Sequence, residues 1–218
     1  MGAVAKRRDF FEHIVFADVS EVRARVAAER TGDPRFEGIG LDATDRAAIV
    51  EAARAYQVDA IVNAVDPRFN PPIFAAAFDA GCTYLDLAMT LSDPHPERPH
   101  ELTGVKLGDA QFARHEVWRE RGLLALVGIG VEPGLSDVFA RYAADELFAE
   151  LDEVGVRDGA NLTIDGDTFA PTFSTWTTIE ECLNPPVMCE RGRAGTRPSR
   201  SPRPRRSSSR RASALSSA

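Results

Sequence analysis

His13–Ser20 reads HIVFADVS. Four apolar residues, Ile14–Ala17, lead into Asp18 and then Ser20, the pattern of a short buried strand that ends on an acid and turns into a helix. The same alternation recurs downstream. Glu21–Arg30 places Val22, Val26 and Ala27 on one helical face, Phe36–Leu41 is a second strand, and Thr44–Tyr56 is a helix with Thr44 as its N-cap. Ala60–Ala64 is a third strand, Pro72–Ala80 a helix and Thr83–Leu87 a fourth strand. A long helix over Gly108–Arg121 and a strand at Leu123–Val127 complete the series.

Strands and helices alternating at this spacing predict parallel βαβ units with right-handed crossovers, and so an α/β fold with a Rossmann-like doubly wound parallel sheet. The ligand crevice of such a sheet lies beyond the carboxyl ends of its strands, where Asp18, Asp42, Asn63–Asp66 and Asp86 fall. A strand ending in an acid is the second strand of a dinucleotide-binding unit, and its acid accepts hydrogen bonds from the adenosine ribose and repels a 2′-phosphate. That reading makes Asp18 a cofactor residue favouring NAD over NADP; the structural reading makes it a cap for the next helix. No GxGxxG precedes it. Only Met1, Gly2 and Ala3 stand before a short helical remnant at Val4–Arg8, so the first strand and its glycine turn are expected to be missing. Two neighbouring edges would then be exposed, which leaves self-association as a homo-oligomer open.

Beyond Gly130 the texture changes. Pro133–Phe148 predicts a helix opening at a Pro-Gly turn and Leu151–Val156 a strand, while Asn161–Val187 mixes Thr, Phe, Trp and Pro around a short helix at Thr177–Leu183. The expected organisation is a dinucleotide-binding domain over 1–130, the start of a second, α+β substrate domain over 131–189 and a disordered tail over 190–218.

That tail sets the charge apart. Of 218 residues with net charge −7, Arg191–Ala218 holds nine Arg and no acid, so the preceding residues carry 17 basic against 33 acidic side chains. An acidic body repels a nucleic-acid backbone, and no specific nucleic-acid partner is expected. No apolar run approaches the ~20 residues of a membrane span, and the charged N-terminus lacks a signal peptide's apolar stretch, so a cytoplasmic protein without a membrane partner is expected. Cys82, Cys182 and Cys189 have neither disulfide nor zinc spacing, and His95 and His100 lie in the proline-rich DPHPERPH; no metal site is expected.

The remaining chemistry sits at strand ends. NAVDP, Asn63–Pro67, is either a close approach to a cofactor or a plain Asp-Pro turn. GCTYLDLA places Tyr84 and Asp86 on one face, with Asp86 lining the crevice or tying a loop. GIGVEPGLSD, Gly128–Asp137, gives a strand end, a turn and a helix start, with Glu132 projecting towards the nicotinamide half of a cofactor or simply preceding the helix.

In order, ADVS, GLDATD, NAVDP, TYLDLA, GIGVEPGLSD and STWTTIEECLNPP resemble the saccharopine dehydrogenase-like oxidoreductases over approximately residues 2–188. The resemblance implies hydride transfer between NAD or NADP and an amino-acid-derived imine or amine, with a small amino-acid-type molecule as substrate. It implies Asp18 at the ribose, Asp42 near the adenine, and Asn63 and Ala64 beside the cofactor. Tyr84, Asp86, Glu132 and Pro133 would surround the nicotinamide, with Asp86 and Glu132 as proton-transfer candidates, and Thr175, Trp176 and Thr177 would lie on the substrate side. Against the family pattern stand the absent glycine turn and the Arg-Ser-Pro tail. With 24 Arg and two Lys, the composition is that of a GC-rich gene, and a truncated or frame-shifted, inactive form is expected. The alternative is a non-catalytic cofactor-binding module, or one whose basic tail touches nucleic acid.

Overall fold

The computed structural model describes residues 10–156 together with Ile179, Val187–Cys189 and Thr196–Pro198. Strand β1 (Ile14–Asp18) leads through helix α1 (Glu21–Glu29) to β2 (Phe36–Gly40), and α2 (Arg46–Ala55) leads to β3 (Ala60–Asn63). A 3₁₀ turn at Pro67–Phe69 runs into α3 (Asn70–Ala80) and β4 (Thr83–Asp86). Short helices α4 (Asp109–Phe112) and α5 (His115–Glu120) precede β5 (Ala125–Leu126), and α6 (Leu135–Tyr142) ends in a π turn at Ala143–Leu147.

The α/β class expected from the alternation is what forms, and every pairing among β1–β5 is parallel. These strands make two ladders, β1-β2 and β3-β4-β5, that share no strand. In β1 the residues bonded to β2 are Ile14, Phe16 and Asp18, since the Ile14 amide donates to Arg35 O and Asp18 O accepts from the Leu41 amide. Val15 and Ala17 therefore turn their peptide groups to the opposite edge. By the same alternation Ala60 and Val62 do so in β3, since the Asp59 and Asn63 carbonyls accept the Thr83 and Leu87 amides on the β4 side.

The chain divides into two compact units, Met1–Ser92 with Leu107–Gly159, and Asp93–Lys106 with Ala160–Ala218. In the second, Asp93 and Val105 exchange backbone hydrogen bonds, and β6 (Val187–Cys189) pairs antiparallel with β7 (Thr196–Pro198).

Helix α1 buries Ala24 and Ala28, at i and i+4, while Val22 is 71% and Val26 39% exposed. The expected Val22, Val26 and Ala27 face is therefore displaced around the helix. The cause lies across the contact in β2, where a Cβ on Gly38 would stand 2.3 Å from the Arg25 nitrogen and 2.4 Å from the Ala24 carbonyl carbon. Backbone meets backbone here, so only small residues fit between.

The main core follows the helical period. α3 buries Asn70, Ile73, Phe74 and Ala77, and α2 buries Ile49. Against them pack Tyr84 from β4 and Trp118 from α5, the latter stacked on Phe74 with ring centroids 4.8 Å apart. Cys82, 2% exposed, donates its thiol to Val58 O at 3.0 Å and ties the start of β4 to the end of the α2–β3 turn. Burial pushes this thiol up, with the Asp59 charge adding to the rise.

Four further expectations change. The cap of α2 is Asp45, which accepts from the Ala48 amide, whereas Thr44 donates both its amide and its hydroxyl to Asp42. The long helix over Gly108–Arg121 breaks at Ala113–Arg114, one arm delivering Gln111 and the other Trp118 to separate buried sites. Pro133 and Gly134 lie outside α6, which starts at Leu135 because Gly134 has φ +132°. Leu151–Val156 forms no strand; Asp152, Glu153 and Gly155 interrupt its apolar run, and no partner lies beside it among the described residues. The predicted helix at Thr177–Leu183 lies outside the described residues except for Ile179, which is helical.

Candidate functional site

Parallel pairing brings the carboxyl ends of the strands to a common edge within each ladder. Asp18 stands opposite Gly40, two residues before Asp42, and Asn63 opposite Asp86.

The first ladder carries two acids held by local bonds. Oδ1 of Asp18 accepts the Ser20 amide at 2.8 Å and the Arg23 Nη2 and Nε at 2.8 and 3.2 Å. The Ser20 hydrogen bond, helped by Arg23, holds this carboxyl below the usual aspartate range. Asp42 accepts the Thr44 amide and hydroxyl, each at 2.8 Å, and these bonds lower its pKa in turn. Both acids therefore stay ionised and preset in direction.

The second ladder carries a buried polar network. Asn63, 4% exposed, donates through Nδ2 to Asn70 Oδ1 at 2.7 Å and to the Tyr84 hydroxyl at 3.0 Å. Asn70 passes a hydrogen bond to Ala88 O at 2.6 Å. Asp86, 1% exposed, accepts Gln111 Nε2 on Oδ2 and the Gly128 amide on Oδ1, each at 2.6 Å. Gln111 also accepts the Thr90 amide at 2.8 Å. Asn63, Tyr84 and Asp86 are thus brought together, and their side chains are turned to one another and to the loops. Burying polar groups is tolerable because each has a partner.

Ala64 is exposed just beyond Asn63. Asp66 serves the turn, accepting the amide of Arg68 at 3.0 Å. The Gly128–Asp137 loop hangs from the network, since Asp86 O also accepts the Ile129 amide at 2.9 Å. A Cβ on Gly134 would stand 2.3 Å from Gly130 O, so the loop closes only with glycine there. Asp137 then caps α6 by accepting the Gly134 amide at 2.9 Å. Glu132, beside Pro133, is exposed and makes no hydrogen bond or ion pair among the described residues. Thr175, Trp176 and Thr177 lie outside the described residues.

Sequence reasoning missed Asn70, Gln111 and Arg23. Asn70 was detectable as a polar residue on the buried face shared with Ile73, Phe74 and Ala77. Gln111 had no such signal, because the break in its helix redirects it.

The Tyr84 phenol is pushed up by burial; the Asn63 hydrogen bond pulls the other way and the Asp86 charge adds to the rise. Above the ordinary phenol pKa near 10.0 an unfolded chain gives up this proton while the folded chain keeps it. Tyr84 therefore supports the fold fully below that pH, and its contribution is lost as pH rises towards the folded value. Denaturant titrations between neutral and strongly alkaline pH should show this loss, and Tyr84→Phe should flatten it. An equally steep alkaline arm in the variant would show that Tyr84 is not its source.

Residues 1–126 match the family described as the saccharopine dehydrogenase NADP binding domain. The chain belongs to this family. The relatives with which it aligns include the carboxynorspermidine synthase of Vibrio alginolyticus, 30% identical over 160 residues, 72% of this chain and 37% of that protein. The carboxyaminopropylagmatine dehydrogenase of a Synechocystis species is 27% identical over 171 residues, 78% of this chain and 41% of that one. This chain thus spans well under half the length of the curated relatives it matches. The saccharopine dehydrogenase (L-Glu forming) of Saccharomyces cerevisiae superposes with a TM-score of 0.48 at 19% identity, covering 66% of this chain and 27% of that one. As a saccharopine dehydrogenase-like protein, the chain is of a nicotinamide cofactor-binding oxidoreductase family. No helix among its described residues is long and apolar enough to cross a membrane.

Proposed function

We propose that this chain holds a nicotinamide dinucleotide across the carboxyl ends of its parallel strands and serves hydride transfer between that cofactor and an amino-acid-derived imine or amine. The observation that carries the reading is the row of strand-end groups, Asp18, Asp42, Asn63 with Ala64, and the Gly128–Pro133 loop, in a chain whose family binds such a cofactor. Asp18 meets the adenosine ribose and Asp42 lies near the adenine. The exposed Ala64, with no side chain beyond Cβ, lets the cofactor approach the backbone.

At the nicotinamide end the two carboxylates have different tasks. Asp86 is fully engaged by Gln111 and Gly128, so it positions the loop. Glu132 is exposed beside Pro133 and is the proton-transfer group, holding or releasing the proton at the substrate nitrogen as hydride moves. When bound, the cofactor supplies the hydride. Asn63 and Tyr84 act through Asp86 and the strand ends, and Thr175–Thr177 belong to the substrate side. Residues 1–130 form the cofactor part, 131–189 the beginning of the substrate part, and 190–218 a basic tail.

Titrating the ¹⁵N-labelled full chain with NADH tests this directly. Amide shifts should gather at Asp18–Ser20, Asp42–Thr44, Ala64–Val65 and Gly128–Glu132. Shifts confined to other elements, or none at millimolar cofactor, would overturn it.

A further inference from the structure

We infer that Arg23 sets cofactor choice by joining Asp18 in a ribose site that takes either a 2′-hydroxyl or a 2′-phosphate; this rests on the cofactor reading above. A lone strand-end acid repels the phosphate and so selects NAD. Here the acid is not alone. Three donors converge on Oδ1, the Ser20 amide and two nitrogens of Arg23, while Oδ2 accepts no hydrogen bond among the described residues. The free oxygen suits a ribose diol, and the guanidinium cancels the charge that would otherwise exclude the phosphate.

Arg23 is placed to do both. It stands in the first turn of α1 with its side chain 68% exposed, against 37% for Asp18, so the guanidinium meets solvent where the ribose would lie. Its planar fork presents further N–H groups beyond those used on Asp18, and a fork of this kind matches phosphate oxygens two at a time. The neighbouring charges on α1 do not compete, because Arg25 is paired with Glu21. With a 2′-hydroxyl the pair stays closed and Oδ2 receives the diol. With a 2′-phosphate the guanidinium turns part of its fork outwards and keeps Asp18 neutralised.

The test is the ratio of NADPH to NADH affinity, read by NMR titration of the full chain so that weak binding is measurable. A ratio cancels any general loss of folded protein. The unaltered chain should bind the two within about tenfold of each other, and Arg23→Ala should lower the NADPH:NADH ratio by about tenfold or more, the scale of a charge-assisted hydrogen bond. Arg23→Lys, which keeps the charge and loses the fork, should fall between. Asp18→Asn should move the ratio the opposite way, towards NADPH. A ratio unmoved by Arg23→Ala would overturn the role of Arg23 and leave the cofactor reading intact. Failure to bind either dinucleotide at millimolar concentration would overturn both.

Discussion

Replacing Gly38 with valine should unmake the β1–α1–β2 unit. Even alanine is too large there, for the added Cβ would lie within 2.5 Å of three backbone atoms of Ala24 and Arg25, none of which belongs to a flexible side chain. The helix would have to lift off the strand. Ala24 and Ala28 would lose their burial, and Arg23 and Ser20 would leave Asp18. Overpacking a core commonly costs about 1–3 kcal/mol, and a backbone collision of this kind belongs at or above the upper end. Urea unfolding followed by circular dichroism should show a lower midpoint for Gly38→Ala and no cooperative transition for the unit in Gly38→Val. Gly155→Ala is the control, since nothing lies within 4 Å of a Cβ there. An unchanged midpoint in Gly38→Ala would show that α1 does not rest on this strand.

The second large effect is expected at Asp86. Asp86→Ala strands the Gln111 amide and the Gly128 N–H in a buried setting, and each unsatisfied donor costs about 1–3 kcal/mol. The loss in unfolding free energy from the two donors should therefore be about 2–6 kcal/mol. Asp86→Asn should lose less. Its carbonyl can still receive Gly128, but its amide faces that of Gln111, which can turn over only by giving up the Thr90 amide. A chain with Asp86→Ala that unfolds like the unaltered one would make the carboxylate a candidate reacting group again. Glu132→Gln should leave stability within about 0.5 kcal/mol, as expected of an exposed site without partners, which separates the two acids cleanly.

Much of the architecture is legible in the sequence. Period-two and period-3.6 patterns place β1–β4 and α1–α3 to within a few residues. What escaped the pattern depends on partners distant in sequence. The buried face of α1 is chosen by Gly38, and valines lose to alanines where backbones touch. The break between α4 and α5 exists because Gln111 and Trp118 answer to different neighbours. At the site, the types and order of Asp18, Asp42, Asn63 and Asp86 were visible, whereas the inward turn of Asn63, Tyr84 and Asp86 was not. A polar residue at a strand end looks the same in sequence whether it faces a crevice or a second polar residue.

Cys82 turns this arrangement into a clock. Its sulfur is closed off by the Val58 carbonyl and by its own burial, and both burial and the Asp59 charge oppose the thiolate that alkylating reagents require. Modification of Cys82 therefore waits for β4 to part from the α2–β3 turn. Mass-mapped labelling over time would count those openings one molecule at a time, without any introduced probe, and would date the movements of the strand that carries Tyr84 and Asp86.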